Sequence, residues 1–417
     1  MNQSRHLIAL FWRVLLIIVN LTVNFPRVAK TQPIGLGSKQ PDQNCGKLSP
    51  QPQFLILGGG GRPEINEIAI EKNILYFQRT LNNLGYDPNI ATIFFASGND
   101  GQATIRYIDG DGQEKFKVTE IPNISGASSL RNLQSWFTQQ SQESKNQPIF
   151  FYFTGHGVEN PENSDNNALI LWDDDYLTVQ DFTRILDKLP ASQPIVTVMV
   201  QCFSGSFANF IYEQGDPKNK VAMQTRCGFF ATIKSLPSVG CTPEVNESDY
   251  RDYSSSFFAG LSGVSRTGQI VASADYNQDK IVSFAEAHAF AKIDEQAADL
   301  PVSTSESWLQ EQATDADMKT ILERSPAQLL RKARPEQEYV VNKLLQALNL
   351  QAQSSFFQQI AGRVEEFEKL PEIQQTYLMR LTMELINIGM EQKIRAVGYP
   401  EAIAILEKLL NCEAGSL

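Results

Sequence analysis

Four short runs constrain the fold more than any other feature of the chain. They are FLILG (54–58), ATIFFA (91–96), IFFYFTG (149–155) and PIVTVMVQ (194–201). Each is apolar almost throughout and rich in aromatic or β-branched residues. A strand with one solvated face alternates apolar with polar residues, so a continuously apolar strand is covered on both faces. Amphipathic stretches lie between the runs. Residues 66–84 carry Ile68, Ile70, Ile74, Leu75, Phe77, Leu81 and Leu84 at helical spacing and stop at Gly85, a glycine terminus. Residues 129–140 and 177–189 also read as helices, and ALILW (168–172) as a short strand. Strands alternating with helices predict an α/β fold with a mostly parallel central sheet. The polar, glycine-rich stretch 97–127, with IDGDG at 108–112, reads as a surface excursion containing a hairpin. Beyond about residue 283 the strand signal disappears. Helical patterns over 325–349, 352–369, 371–391 and 399–412 then predict a helical C-terminal region, 301–417.

In sheets of this kind the loops at the carboxyl ends of the strands form the functional crevice. Three glycine-rich turns fall there: Gly58–Gly61, Gly155–Gly157 and Cys202–Gly205. The first lacks both the Lys-Ser/Thr of a phosphate loop and the spaced glycines of a dinucleotide fingerprint. The other two belong to FFYFTGHG and QCFSGS, which place His156 and Cys202 at strand ends. A thiol attacks carbonyls as thiolate, so it needs access and a partner or field that favours the ion. A helix expected from about residue 206 would supply partial positive charge at its N-terminus. The backbone N–H groups of Gly157 and Cys202 are candidates for an oxyanion hole. Of the other two histidines, His6 lies in an apolar leader and His288 in a helical pattern, so His156 has no competitor.

Composition narrows the class. Hydrophobic content of 42% and charged content of 20% suit a globular chain. A net charge of −11 with scattered Lys and Arg excludes nucleic acid as a partner. Arg5 and His6 precede an apolar run to Val23, interrupted by Arg13, which predicts an export signal over 1–30 and a secreted or periplasmic protein. The alternative is an uncleaved anchor, the one case in which a membrane is a partner. Residues 31–52 read as a linker. If Cys202 stays reduced, Cys45, Cys227, Cys241 and Cys412 form an even set with three pairings. Cys227–Cys241 is the local pair; the other reading is that some are small buried apolar residues.

FFYFTGHG followed by QCFSGS resembles the histidine and cysteine motifs of the legumain–caspase superfamily of cysteine endopeptidases. GFFATIKS (228–235) and the acidic loop to Ser256 resemble the strand and substrate-pocket loop that follow in legumain. The resemblance covers about 53–290 and implies a caspase-like three-layer sandwich over 53–300. It also implies Cys202 as nucleophile, His156 as acid–base, a protein or peptide substrate, and no cofactor for the chemistry. Legumain carries an Arg-His-Gln-Ala-Asp run after its first strand; the matching stretch here, GRPEINEIAIEKN (61–73), lacks it. Arg62 is the remaining candidate for a charge in the specificity pocket. Legumain also has a helical C-terminal extension that covers its active site until cleaved. Similar organisation here implies a C-terminal region packed on the peptidase domain, with 300–307 as the cleavage zone.

A second motif stands apart. In DYNQDKIVSFAE, Asp275, Asn277, Asp279, Ile281, Ser283 and Glu286 occupy positions one, three, five, seven, nine and twelve of an EF-hand-like loop, the pattern of a structural calcium site. Lys280 stands at position six, where glycine is expected. The competing reading is an Asx-rich turn in which Ser283 and Glu286 make a capping box. Two functional alternatives accompany the peptidase: a non-catalytic, calcium-stabilised interaction module on the same fold, and a peptide ligase or transpeptidase sharing the thioester.

Overall fold

The computed structural model describes residues 51–142, 147–361, 363–367 and 369–417. The expected export segment, the linker up to residue 50 and Cys45 lie outside the described residues. Among the described residues no helix is long and apolar enough to cross a membrane.

The chain runs through β1 (Gln53–Gly59), α1 (Ile68–Asn83), β2 (Thr92–Phe95), the hairpin β3 (Ile105–Ile108) and β4 (Glu114–Lys117), and α2 (Leu130–Gln142). Next come β5 (Ile149–Gly155), β6 (Gly157–Val158), β7 (Ala168–Leu171), β8 (Asp175–Thr178), α3 (Val179–Leu186), β9 (Ile195–Met199) and β10 (Arg226–Phe230). Two helices, α4 (Tyr253–Ser262) and α5 (Phe284–Asp294), precede β11 (Val302–Ser303). The central sheet has the order β2-β1-β5-β9-β10-β11, parallel except for β11. Strands β6, β7 and β8 form a small separate antiparallel sheet.

The apolar runs explain the layering. Successive strand side chains point to opposite faces, so β5 delivers aromatic rings to both. Phe151 and Phe153 join Leu55, Leu57 and Phe182 of α3 on one face. Phe150 and Tyr152 join Phe54, Phe77 of α1, Phe258 of α4 and Phe284 of α5 on the other. Phe77 stacks on Phe150 at 5.6 Å between ring centroids, and Phe151 meets Phe182 at 5.2 Å. Such pairs add about 0.5–1.5 kcal/mol each beyond their burial.

From residue 304 onward the chain is helical: α6 (Thr304–Glu311), α7 (Asp315–Leu322), α8 (Pro326–Leu330), α9 (Pro335–Ala347), α10 (Phe356–Ala361), α11 (Val364–Phe367), α12 (Glu372–Val397) and α13 (Pro400–Glu413). Two expectations need correction here. Residues 300–307 are no exposed cleavage zone: Leu300, Val302, Ser303 and Thr304 are buried, and β11 pairs antiparallel with β10. A two-residue strand carries no periodicity, which is why the sequence pattern missed it. The local Cys227–Cys241 pair does not form; Cys227 of β10 is bonded to Cys412 of α13, 185 residues away, and Cys241 is free.

The helical region shares the sheet's core rather than resting on it. Leu322, Leu344, Leu381 and Leu385 belong to the same apolar cluster as Leu55 and Phe151. Charges buried at this junction are paired, as the cost of desolvation requires. Lys292 of α5 bonds Glu306 of α6 and, at 2.7 Å, Glu384 of α12. Glu413 accepts from Ser305 N at 2.6 Å and Thr304 Oγ1 at 2.7 Å. His288, the alternative histidine, is a core residue held by Tyr253 and Glu306.

Candidate active site

Strands β5 and β9 are parallel neighbours in the register Phe153↔Met199. His156 and Cys202 each stand three residues beyond those partners, so the two motifs leave the sheet side by side. Their glycines make the approach feasible. A Cβ on Gly157 would come within 2.1 Å of the Cys202 carbonyl oxygen, and one on Gly155 within 2.5 Å of the Gly59 oxygen. A Cβ on Gly205 would meet the Thr232 oxygen at 2.7 Å. Glycine is therefore the residue these contacts admit.

Ile170 N donates to His156 O at 2.9 Å, which makes 156 and 170 a hydrogen-bonded pair of the β6–β7 ladder. Gly157 and Leu169 are then the non-hydrogen-bonded pair, so the Gly157 N–H points away from β7. On the cysteine side, Phe203 takes a left-handed φ of 60° before a buried 3-10 helix, Ser204–Ile211. This helix, expected from about residue 206, starts at 204 and is tighter than an α-helix.

The imidazole has partners the sequence did not suggest. His156 Nε2 lies 2.9 Å from Glu67 Oε2 and 2.9 Å from the Ile65 carbonyl oxygen. The run of glycines after β1 makes this possible. Gly59 has φ 120°, and a Cβ on Gly60 would fall 1.9 Å from Ile65 O. The chain thus doubles back tightly, and buried Asn66 locks it by accepting from Gly60 N at 3.0 Å and donating to Thr104 O at 3.1 Å. Glu67 is buried, and its other oxygen is bonded by Arg106 of β3 at 2.7 Å. Burial raises the Glu67 pKa, but His156 and Arg106 outweigh it and hold the carboxyl below its ordinary value. Burial opposes charge on His156 too, yet the Cys241 sulfur and Glu67 push its pKa up to about 11.

The Cys202 sulfur directs its hydrogen bonds to Ser238 rather than to His156. It accepts from Ser238 N at 3.3 Å and donates to Ser238 O at 3.5 Å. Burial pushes this thiol up to about 11, against the relief given by the Ser238 N–H. Ser238 is fixed in turn: its hydroxyl donates to Val200 O at 3.0 Å, and Val239 N donates to Asp299 Oδ1 at 3.0 Å. The buried Arg380 guanidinium of α12 holds the segment before Asp299 by donating to the carbonyls of Lys292, Glu295, Ala297 and Asp299. Three residues after Ser238, Cys241 places its sulfur within 4.8 Å of both a His156 ring nitrogen and a Glu67 oxygen. One segment, 238–241, therefore meets both Cys202 and His156.

Sequence reasoning missed Glu67, Ser238 and Cys241. A signal for Glu67 existed in the glycine run, whose turn must place the next residues over a neighbouring strand end; nothing local marked Ser238 or Cys241. Arg62 is an exposed turn residue paired with Asp174 at 2.7 Å.

In the 275–286 loop the strained position is accommodated: Lys280 adopts φ 73°. Asp275 accepts from Asp279 N and Lys280 N at 3.0 Å each, and Asp279 Oδ1 accepts from Ile281 N at 2.8 Å. Glu286 Oε1 accepts from Tyr276 N and Asn277 N, while Oε2 accepts from Ser283 N and Oγ. The Ser283–Glu286 capping box is formed. As folded, these carboxylates accept from the loop's own N–H groups, and Glu286 would turn from its capping contacts to offer both oxygens to an ion.

The family model described as Caspase domain matches residues 70–382. No curated protein matches the chain. Among solved structures, the crystal structure of Chaetomium thermophilum Raptor aligns at 10% identity with a TM-score of 0.31. That alignment covers 91% of this chain and 40% of the other, so the chain spans well under half the length of that protein. At that score the likeness carries no argument.

Proposed function

The chain belongs to the caspase-domain family, and from that premise we propose that it is a cysteine endopeptidase acting through a Cys202 thioester. The observation that carries the reading is the shared register of β5 and β9, which brings His156 and Cys202 out of the sheet at the same level. The Cys202 sulfur attacks the scissile carbonyl, and the N–H groups of Gly157 and Cys202 stabilise the oxyanion. His156, a hydrogen-bond donor to Glu67 and Ile65, protonates the leaving amine. Water then resolves the thioester; an amine in its place would make the product of a peptide ligase.

The conformation described is a resting one. Segment 238–241 covers the Cys202 thiol and borders His156, so an extended substrate must displace it to reach the sulfur. Export to an extracellular or periplasmic compartment, supported by the apolar run ending at Val23, is part of the proposal. Calcium at 275–286 would act on the loop alone, and no step is routed through it.

One observation favours a second reading, a non-catalytic interaction module. The Cys202 thiol is half-buried, bonded to Ser238 and held at about 11. Peptide acyloxymethyl ketones with Asn, Asp, Arg or Lys at the position preceding the warhead separate the two. Peptidase activity predicts rapid labelling at Cys202, selective among these residues and abolished in His156→Ala. Labelling no faster than that of a small thiol, whatever the peptide, would establish the module instead.

A further inference from the structure

Among the described residues, one group of three His, Cys, Asp or Glu side chains has ligand atoms that all lie within 4.8 Å of one another: Glu67, His156 and Cys241. We propose that these three form a zinc site, and that a Zn²⁺ ion there withdraws His156 from the dyad and reversibly shuts the enzyme. The inhibitory consequence rests on the peptidase reading; the site itself does not.

The donor set selects the metal. A thiolate, an imidazole and a carboxylate with an open fourth position suit zinc, whereas calcium and magnesium take oxygen ligands alone. The three ligand atoms lie within 4.8 Å of one another, near enough for zinc to draw them together. Ligands about 2.0–2.3 Å from a tetrahedral ion stand roughly 3.3–3.5 Å apart. The 2.9 Å separation of His156 Nε2 and Glu67 Oε2 opens to that value by a small side-chain rotation.

Support behind the ligands is already in place. Arg106 grips Glu67 Oε1 at 2.7 Å and leaves Oε2 directed at the imidazole, the outer-shell arrangement that orients a metal ligand. The Gly155 carbonyl accepts from the Cys241 thiol at 3.6 Å, keeping the sulfur at the strand end. Glu67 is buried, His156 partly buried and Cys241 exposed, so the site has a floor and an entrance from solvent. Coordination replaces the Cys241 thiol proton and the proton on His156 Nε2, and both leave to solvent. The charge of Zn²⁺ is then matched by one thiolate and one carboxylate.

The same arrangement gives Cys241 a role. A histidine and a carboxylate alone make a weak zinc site, and the exposed thiol completes it. Cys202 is not needed, because its sulfur is turned to Ser238.

The test uses Co²⁺ as an optical probe on the metal-free full-length protein. One cobalt per chain is expected, with a thiolate-to-cobalt charge-transfer band. The band should vanish in Cys241→Ser, need at least tenfold more metal in Glu67→Gln, and survive in Cys202→Ser. Its absence in the parent protein, its persistence in Cys241→Ser, or its loss in Cys202→Ser would each overturn the site. If peptidase activity is found, the ratio of turnover with and without zinc is read for each variant, which cancels any change in basal rate. Cys241→Ser should then need at least tenfold more zinc for half-inhibition; equal sensitivity would overturn the regulatory role. An inactive protein that binds cobalt through Cys241 supports the site while refuting the peptidase reading.

Discussion

His156 is enclosed by elements that belong to the sheet and its first turn, whereas Cys202 is covered by a segment without regular structure. On the histidine side, Glu67 stands immediately before α1, Arg106 lies on β3, and the Ile65 carbonyl packs against the Gly58–Gly61 turn. On the cysteine side, Ser238 and Cys241 lie in a stretch with no strand or α-helix, held by single bonds to Asp299, Val200 O and Gly155 O rather than by a ladder. Segments with few backbone ladders open at lower free-energy cost than those inside a sheet. The contrast makes 238–241 the part of this site that opens at the lower cost.

The largest expected effect separates the two sides by pH. With the Cys202 thiol at about 11 against an ordinary value of 9.0, its thiolate fraction at neutral pH is roughly 100-fold below that of an unfolded cysteine. Iodoacetamide alkylation of Cys202, followed by peptide mapping, should be slower by about that factor than in urea-unfolded protein. It should rise about tenfold per pH unit until the thiol titrates near 11. A plateau near pH 8.5 would show that the covering segment does not keep water from the thiol in solution.

Next in size is the histidine side. Glu67→Gln keeps the shape but removes the charge that orients the imidazolium, and should lower kcat about 10²-fold with KM little changed. A rise in KM with kcat intact would instead place Glu67 in substrate binding. The smallest effect concerns the loop. Asp299→Ala leaves Val239 N without its acceptor, a loss of about 1–3 kcal/mol. Cys202 alkylation should then accelerate about tenfold while thermal unfolding shifts by only a few degrees. Unchanged alkylation would locate the lock elsewhere than in 238–241.

Some of this was legible residue by residue. FLILG, IFFYFTG and PIVTVMVQ are apolar on both faces, and that alone requires a covered parallel sheet with its crevice at the carboxyl ends. His156 and Cys202 could be paired because each follows such a run immediately. Glu67 was hidden because its contact with His156 spans 89 residues and depends on backbone reversal at Gly59 and Gly60. Cys241 was assigned to Cys227 by proximity in sequence, yet the strand geometry sends Cys227 to α13. The 275–286 loop shows the converse. Its spacing is local and visible, and so is the Ser283–Glu286 capping box that the structure forms.

What the sequence by itself determined is therefore what short-range chemistry dictates: which runs are buried strands, which turns need glycine, and which two side chains stand at neighbouring strand ends. Only the tertiary structure decided what meets those side chains. It brought Glu67 and Cys241 to His156, set Ser238 on Cys202, and made β11 and the C-terminal helices part of one core. The physical reason is that periodicity and turn chemistry act over a few residues. Hydrogen bonds at a buried site are instead chosen among groups far apart in the chain, by which of them the packed sheet leaves within about 3 Å.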